Sequence, residues 1–212
     1  MIAPDREALG AARRLLRRRP ELPEEVRERL ALHFGLLYAW NARINLTALR
    51  DPHVGAVRLL EESLEALPCF PEPAGTLADL GSGNGYPGLA LLCALPGWSG
   101  YLVESVERKA AFLSAAVREV GLGDRVRVLH QRIASPRDVP DRAGTVTMRG
   151  FPRPVDWIAR LAAGEPPRRV VAWLGKADAV AAARRVGGSR RSRVIPLGEG
   201  RGVLLCVERL RG

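Results

Sequence analysis

Chemically, the most telling residues lie in Leu77-Ala-Asp-Leu-Gly-Ser-Gly-Asn-Gly-Tyr-Pro-Gly-Leu89, an apolar run that ends in an acid and becomes a glycine loop. Gly81, Gly83, Gly85 and Gly88 allow positive φ and close backbone approach, both of which side chains would prevent. Pro87 has a φ suited to a first helical turn, so the spacing predicts strand, loop, helix. A phosphate loop needs Gly-Lys-Ser/Thr after four intervening residues, and this segment has none. Gly83-Asn-Gly85-Tyr-Pro-Gly88 does satisfy the dinucleotide pattern G-x-G-x-x-G. The next apolar run, Gly100-Tyr-Leu-Val-Glu104, ends in a carboxylate placed to accept two ribose hydroxyls at the tip of a second parallel strand. An acid at that point disfavours a 2′-phosphate.

Asp79 ahead of the glycines extends the pattern to D-x-G-x-G-x-G, which resembles motif I of class I S-adenosylmethionine (SAM) methyltransferases. An acid at Glu104 fits SAM or NAD, Asp79 and Glu104 in register weigh against a glycine turn that binds nothing, and the motif I resemblance makes SAM the expected cofactor. The chain has 212 residues, enough for one full-sized domain and a modest extension. Its formal charge is +10 and its pI about 10.8, with 31 of 33 basic residues being Arg. Such a surface favours a polyanion, RNA first; the competing reading is that Arg has simply replaced Lys throughout. Cys69, Cys93 and Cys206 form neither C-x-x-C nor a metal spacing with His, and read as reduced core thiols of a cytosolic protein. No leader and no apolar run of ~18 residues is evident, so neither export nor membrane spanning is expected.

The supporting framework is readable along the chain. Residues 5–19 read as an amphipathic helix stopped by Pro20, and a second helix is expected from Pro23 to about Trp40, with Leu30, Phe34, Leu37 and Tyr38 on one face. His33 among them reads as a half-buried packing residue, and His53 as a surface or capping residue. Trp40–Pro52 is too irregular for a helix. Residues 53–67 read as a helix leading to a Pro/Gly-rich connector, Pro68–Gly75. Strands are then expected at 77–80, 100–104, 125–130, 144–148 and 169–174, with helices at 89–95, 107–121 and 176–185. That rhythm implies a parallel sheet covered on both faces, closed by an antiparallel pair at 193–197 and 203–208. The expected organisation is a helical extension over 1–70 and a Rossmann-like α/β domain over 75–212.

Trp40-Asn-Ala-Arg-Ile-Asn-Leu-Thr-Ala-Leu-Arg-Asp-Pro52, together with the Asp79 glycine segment after it, closely resembles the bacterial small-subunit rRNA guanine-N7 methyltransferases known as RsmG or GidB. The resemblance continues through Leu102–Leu113, Met148-Arg-Gly-Phe151 and Leu174-Gly-Lys176. It implies a class I SAM-dependent methyltransferase sheet, mostly parallel with a terminal antiparallel hairpin. It also implies SAM contacts at Asp79, Gly81, Gly83, Gly85, Tyr86, Ile133, Ala134 and Arg149, a ribose held by Glu104, and a bridging, catalytic role for Arg149 between cofactor and target base. The family usually carries an acid where Ala134 stands; a backbone amide there can still meet the adenine. It commonly shows Arg-His-x-x-Asp-Ser where this chain has Leu59 and Glu62, a change that bears on substrate and activity.

Reaction type is constrained by the residues just beyond the fourth strand. Thr147-Met-Arg-Gly-Phe-Pro-Arg153 lacks the Asn/Asp-Pro-Pro-aromatic platform for exocyclic amines, and no cysteine lies within fifty residues of it to attack a pyrimidine C6 for C5 methylation. Guanine N7 needs no general base, because its lone pair is free to attack in line; proximity and orientation suffice. Asn45, Arg50 and Arg58 are candidate RNA contacts near the pocket mouth, with Lys176 on the same edge. Arg184, Arg185, Arg190, Arg191 and Arg193 form a basic cluster that suits a phosphate backbone or is simply a solvated face. The expected partner is small-subunit rRNA or the 30S subunit, met by a cytoplasmic monomer. A changed RNA or small-molecule substrate, and a non-catalytic RNA-binding protein of the same fold, stay open as alternatives.

Overall fold

Asp5 starts the first helix by accepting the Ala8 N–H at 2.8 Å, and α1 (Arg6–Leu16) comes next. In the computed structural model, residues 2–164, 167–186, 190–198 and 202–209 are described. The second helix, α2 (Glu24–Ile44), runs past the expected stop at Trp40. Its buried Val26, Leu30, Phe34 and Leu37 recur at three- and four-residue steps, the signature of one helical face. It ends where Asn45 takes φ 50°, a left-handed cap that Asn tolerates better than other side-chain-bearing residues. Asn41 Oδ1 accepts the N–H groups of Leu46 (2.7 Å) and Thr47 (2.9 Å). The segment expected to be irregular from Trp40 is therefore helix end and turn, built by two asparagines.

Asp51 caps the next helix through the His53 N–H at 2.7 Å. That helix comprises α3 (Pro52–Gly55), a π-helical stretch Ala56–Glu61 and α4 (Glu62–Leu64). A short turn, Leu67–Cys69, leads to the sheet.

The sheet consists of β1 (Gly75–Leu80), β2 (Trp98–Glu104), β3 (Val126–His130), β4 (Thr145–Arg149), β5 (Arg169–Leu174), β6 (Arg190–Pro196) and β7 (Val203–Arg209), in the order β3-β2-β1-β4-β5-β7-β6. The first five are parallel, and β7 runs antiparallel between β5 and β6, as expected for a class I methyltransferase sheet. The intervening helices are α5 (Gly88–Ala94), α6 (Glu107–Glu119), α7 (Pro154–Ala163) and α8 (Lys176–Arg185). Of these, α7 was not expected from the sequence, although Pro154 at its start and buried Trp157, Ile158 and Leu161 carry a helical pattern.

Alternation along the strands divides the core in two. Leu77, Leu102, Val171 and Cys206 face α1, α2, α5 and α6, while Ala78, Leu80, Val146, Ala172 and Leu205 face α7 and α8. The N-terminal helices thus share one apolar core with the sheet. Several arginines are spent inside this frame. Arg125 donates to Leu92 O (2.7 Å), Leu95 O (3.2 Å) and Trp98 O (2.5 Å), closing the end of α5. Arg190, from the basic cluster, is buried and donates to Gly164, Pro167 and Arg168 carbonyls, and Arg185 pairs with Asp156. The cluster is in part a structural one.

Candidate cofactor and RNA site

Register places three side chains or loops in a row at the carboxyl ends of the central strands. Leu80 of β1 pairs with Val103 of β2 and Met148 of β4, so Glu104, Gly81 and Arg149 stand side by side. Strand order reverses between β1 and β4, the point where open α/β sheets bind ligands.

The loop after β1 splits into an open half and a clamped half. Gly81, Gly83 and Gly85 have φ of 70°, 52° and 85°. The Gly81 and Ser82 N–H groups donate to Val103 O at 2.9 and 3.0 Å. A Cβ on Gly83 would make only ordinary contact, with Gly81 O at 3.7 Å and Glu104 Oε2 at 4.0 Å, so there is room beside the backbone there. Gly85 and Gly88 face inward. A Cβ on Gly85 would lie 2.6 Å from His33 Nε2, and one on Gly88 would lie 2.5 Å from Asp79 Oδ2. Tyr86 also turns away from the cleft: its buried ring stacks on His33 at 4.5 Å, and its hydroxyl is buried with no hydrogen-bond partner among the described residues. Gly85 and the Tyr86 side chain, expected at the cofactor, serve the packing of the loop on α2.

Asp79 belongs to the foundation of the loop. It is 1% exposed, and its carboxylate accepts Thr147 Oγ1–H (2.7 Å) and the Gly88 N–H (3.2 Å). Burial lifts its pKa to about 6, against those hydrogen bonds. Glu104 accepts the Gly83 N–H (2.9 Å) and the Val106 N–H (2.8 Å), which ties the tip of β2 to the open half of the loop. On the β3 side, Ile133 is half-buried and Ala134 exposed. The Ala134 amide is not free for an adenine: it donates to Asp138 Oδ2 at 2.8 Å, and Ser135 N–H donates to the same atom at 2.7 Å. A capping box at Ser135–Asp138 consumes the donor, a local pattern visible in the sequence as Ser-x-x-Asp.

Arg149 is held from below. Its Nη2 donates to Glu62 Oε2 at 2.6 Å, and Arg58 Nε lies 3.1 Å from the other Glu62 oxygen. Glu62 is buried, and its backbone carbonyl accepts Trp173 Nε1–H at 2.9 Å. Burial lowers the Arg149 pKa against the pull of Glu62, and Arg149 Nη1 is buried with no hydrogen-bond partner among the described residues. A Cβ on Gly81 would touch Phe151 at 3.1 Å, so that ring flanks the loop. The sequence marked Glu62 only as a departure from the family's Asp and did not show that it holds Arg149; an acid four residues after Arg58 on a helix was the signal for its pairing with that arginine. Leu59 is buried in the core. Asn45, Arg50, Arg58 and Lys176 are all exposed. Asn45 caps α2, and Lys176 opens α8, where a cation meets the unfavourable end of the helix dipole.

His33 is fully buried rather than half-buried. Its Nε2–H donates to Asn84 O at 3.0 Å, and its Nδ1 has no partner among the described residues. Burial pushes its pKa down to about 4 from 6.5. The imidazole folds neutral, so its contribution is present above pH 6.5 and is lost as pH falls through 4, about 3 kcal/mol in all. Asp79 has the opposite sign. With its pKa raised from 3.8 to about 6, its contribution is present below pH 3.8 and lost as pH rises through 6. The two oppose one another between pH 6 and 4. His33→Phe removes one of them, so urea melts at pH 7 and pH 4.5 should show the variant gaining stability on the wild type in acid. Parallel pH profiles for the two chains would refute a neutral buried imidazole.

The family model described as rRNA small subunit methyltransferase G (GidB) matches residues 27–172. The protein called Ribosomal RNA small subunit methyltransferase G in Myxococcus xanthus (strain DK1622) is 42% identical over 167 residues, 75% of this chain and 74% of its own. Its namesake in Neisseria gonorrhoeae (strain NCCP11945) is 39% identical over 140 residues, 66% of each chain. Among solved structures, the S-adenosylmethionine-dependent methyltransferase SibL in its apo form aligns with a TM-score of 0.58 at 15% identity, over 82% of this chain and 62% of that one. The METTL16 methyltransferase domain aligns at 0.56 and 14% identity, over 87% and 79%. At such identities these two speak for the fold alone. The family match spans well over half of the sequence, and the chain belongs to the rRNA small subunit methyltransferase G family.

Proposed function

We propose that this chain is a SAM-dependent methyltransferase that modifies N7 of a guanosine in small-subunit rRNA. What supports this above all is the row of Glu104, the Gly81–Gly83 backbone and Arg149 across the switch point, in a chain of this family. The donor set fits the cofactor. Gly83 leaves room beside its Cα while its N–H is tied to Glu104, Glu104 has lone pairs left beyond the two amides it accepts, and Arg149 Nη1 is a buried donor awaiting an acceptor. SAM, when bound, supplies an electrophilic methyl group on a sulfonium sulfur.

The remaining work falls to the chain. Glu104 holds the ribose hydroxyls, Ile133 and the Ala134 methyl border the adenine, and Asp79 keeps the loop in shape without touching the ligand. Arg149 reaches toward the target, where guanine O6 or a phosphate oxygen is its natural acceptor. No proton has to leave guanine N7, so orientation carries the reaction. Arg50, Arg58, Lys176 and Asn45 flank the mouth, and Lys176 at its disfavoured helix end is explained by an RNA phosphate there. The partner is small-subunit rRNA or the 30S subunit, met by a monomer in the cytoplasm.

The test is a calorimetric titration of SAM into the purified chain, with Glu104→Ala as control, and then methyl transfer to subunits from cells lacking their own enzyme. Micromolar binding, weakened about tenfold or more (~1.4 kcal/mol) in the variant, is expected. Folded protein that binds no SAM up to millimolar concentration would leave a non-catalytic RNA-binding protein as the better account.

A further inference from the structure

Two cysteines far apart in sequence meet on the far side of the sheet from the basic loop ends of α8. Cys69 ends the turn after α4, and Cys206 lies in β7 opposite Val171 of β5 and Arg193 of β6. Both are free, buried cysteines, and both line one small cavity. Arg193 Nη2 sits 3.6 Å from Cys69 Sγ while donating to Pro68 O at 3.0 Å. Arg169, gripped by Glu72 and Glu208, adds a second guanidinium beneath them. A cavity of about 230 Å³ is walled by both thiols with Pro68, Pro71, Arg191 and Arg193, the last two exposed at its rim. None of these groups has a part in methyl transfer.

We propose that Cys69 and Cys206 form a peroxide-reactive thiol pair, with Cys69 as the attacking sulfur and Cys206 as the resolving one. Arg193 divides the roles. The neighbouring Cys206 thiol and the Arg193 guanidinium, 3.6 Å from Cys69 Sγ, hold the Cys69 thiol down, while its neighbour and burial push Cys206 up. Cys93, a fully buried residue of α5, is pushed up to about 12 by burial against the pull of Arg125 and Arg29, and is an internal control. A thiolate beside cations is the reactive form of cysteine.

The chemistry balances with hydrogen peroxide as oxidant. The Cys69 thiolate attacks one peroxide oxygen, the O–O bond breaks, and the departing hydroxide takes a proton and leaves as water. Cys69 is then a sulfenic acid. The Cys206 sulfur displaces its oxygen: the S–S bond forms, the S–O bond breaks, and the oxygen departs with the thiol proton as a second water. Two sulfurs together give up two electrons, and the peroxide accepts them. The bridge would fasten the turn behind the helix carrying Arg58 and Glu62 to strand β7.

The full-length reduced chain is treated with hydrogen peroxide, quenched with iodoacetamide and digested without reduction. Expected are a loss of roughly two mass units from the intact chain and a linked peptide pair containing Cys69 and Cys206, with Cys93 alkylated only after denaturation. In Cys206→Ser, dimedone should trap a sulfenic acid at Cys69. Recovery of both as free thiols, overoxidation of Cys69 without a link in the wild type, or a link that includes Cys93 would each overturn the proposal.

Discussion

Glu62→Gln should lower kcat/KM for methyl transfer by about 100-fold or more while leaving SAM affinity within a few-fold, a loss of roughly 3 kcal/mol in transition-state binding. Glu62 is the single buried acid under two arginines, accepting Arg149 at 2.6 Å and lying 3.1 Å from Arg58. An amide in its place turns one of the two acceptor positions into a donor and leaves the largely buried Arg149 guanidinium without its counter-charge. Removing one partner of a buried pair also costs about 3 kcal/mol of stability, reduced here because Arg58 is 44% exposed. Glu62→Asp keeps the charge one methylene shorter and should retain most of the activity. Tritiated methyl incorporation, read beside thermal melts of all three chains, separates lost positioning from lost folding. Normal turnover by folded Glu62→Gln would show that Arg149 does not act from this pose.

Gly88→Ala should abolish SAM binding and destabilise the fold by about 3 kcal/mol, whereas Gly83→Ala should weaken SAM binding with a stability cost of only about 1 kcal/mol. The two glycines are glycine for different reasons. At Gly88 the backbone is ordinary, but an added Cβ would overlap Asp79 Cβ and lie 2.5 Å from its Oδ2. Asp79 cannot yield, being buried and bonded to Thr147. At Gly83 the nearest atom is 3.7 Å away, and the cost is the φ of 52° plus obstruction of the open face. Urea denaturation and calorimetry on both variants distinguish the cases. Equal stability of the two would mean the loop relaxes around Gly88.

Much of this site was legible in the sequence because its parts are local. Asp79, the glycines and Glu104 announce themselves by strand ends and spacing, and the order of helix and strand yields a sheet whose register then sets Arg149 beside Gly81. What stayed hidden depends on contacts distant along the chain. The packing of Tyr86 and Gly85 on His33 of α2, fifty residues earlier, could not be read from the loop alone. The capture of the Ala134 amide by Asp138 was local and readable, but a backbone donor attracts no notice in a residue pattern. That Asn45 also turns the chain, with a φ of 50°, was not read from its place in the N-terminal signature. Net charge pointed to RNA but overstates the basic surface available to it, since Arg125, Arg169 and Arg190 are buried or part-buried against carbonyls and carboxylates.

The clamp between His33 and Gly85 also limits how such chains can diverge. A side chain cannot appear at position 85 until position 33 has shrunk, and a smaller residue at 33 leaves Tyr86 without the ring it stacks on. The two positions therefore behave as one inherited character. A chimera that takes its glycine loop from one chain and α2 from another fits only where the loop keeps a glycine at 85 and the helix a ring at 33.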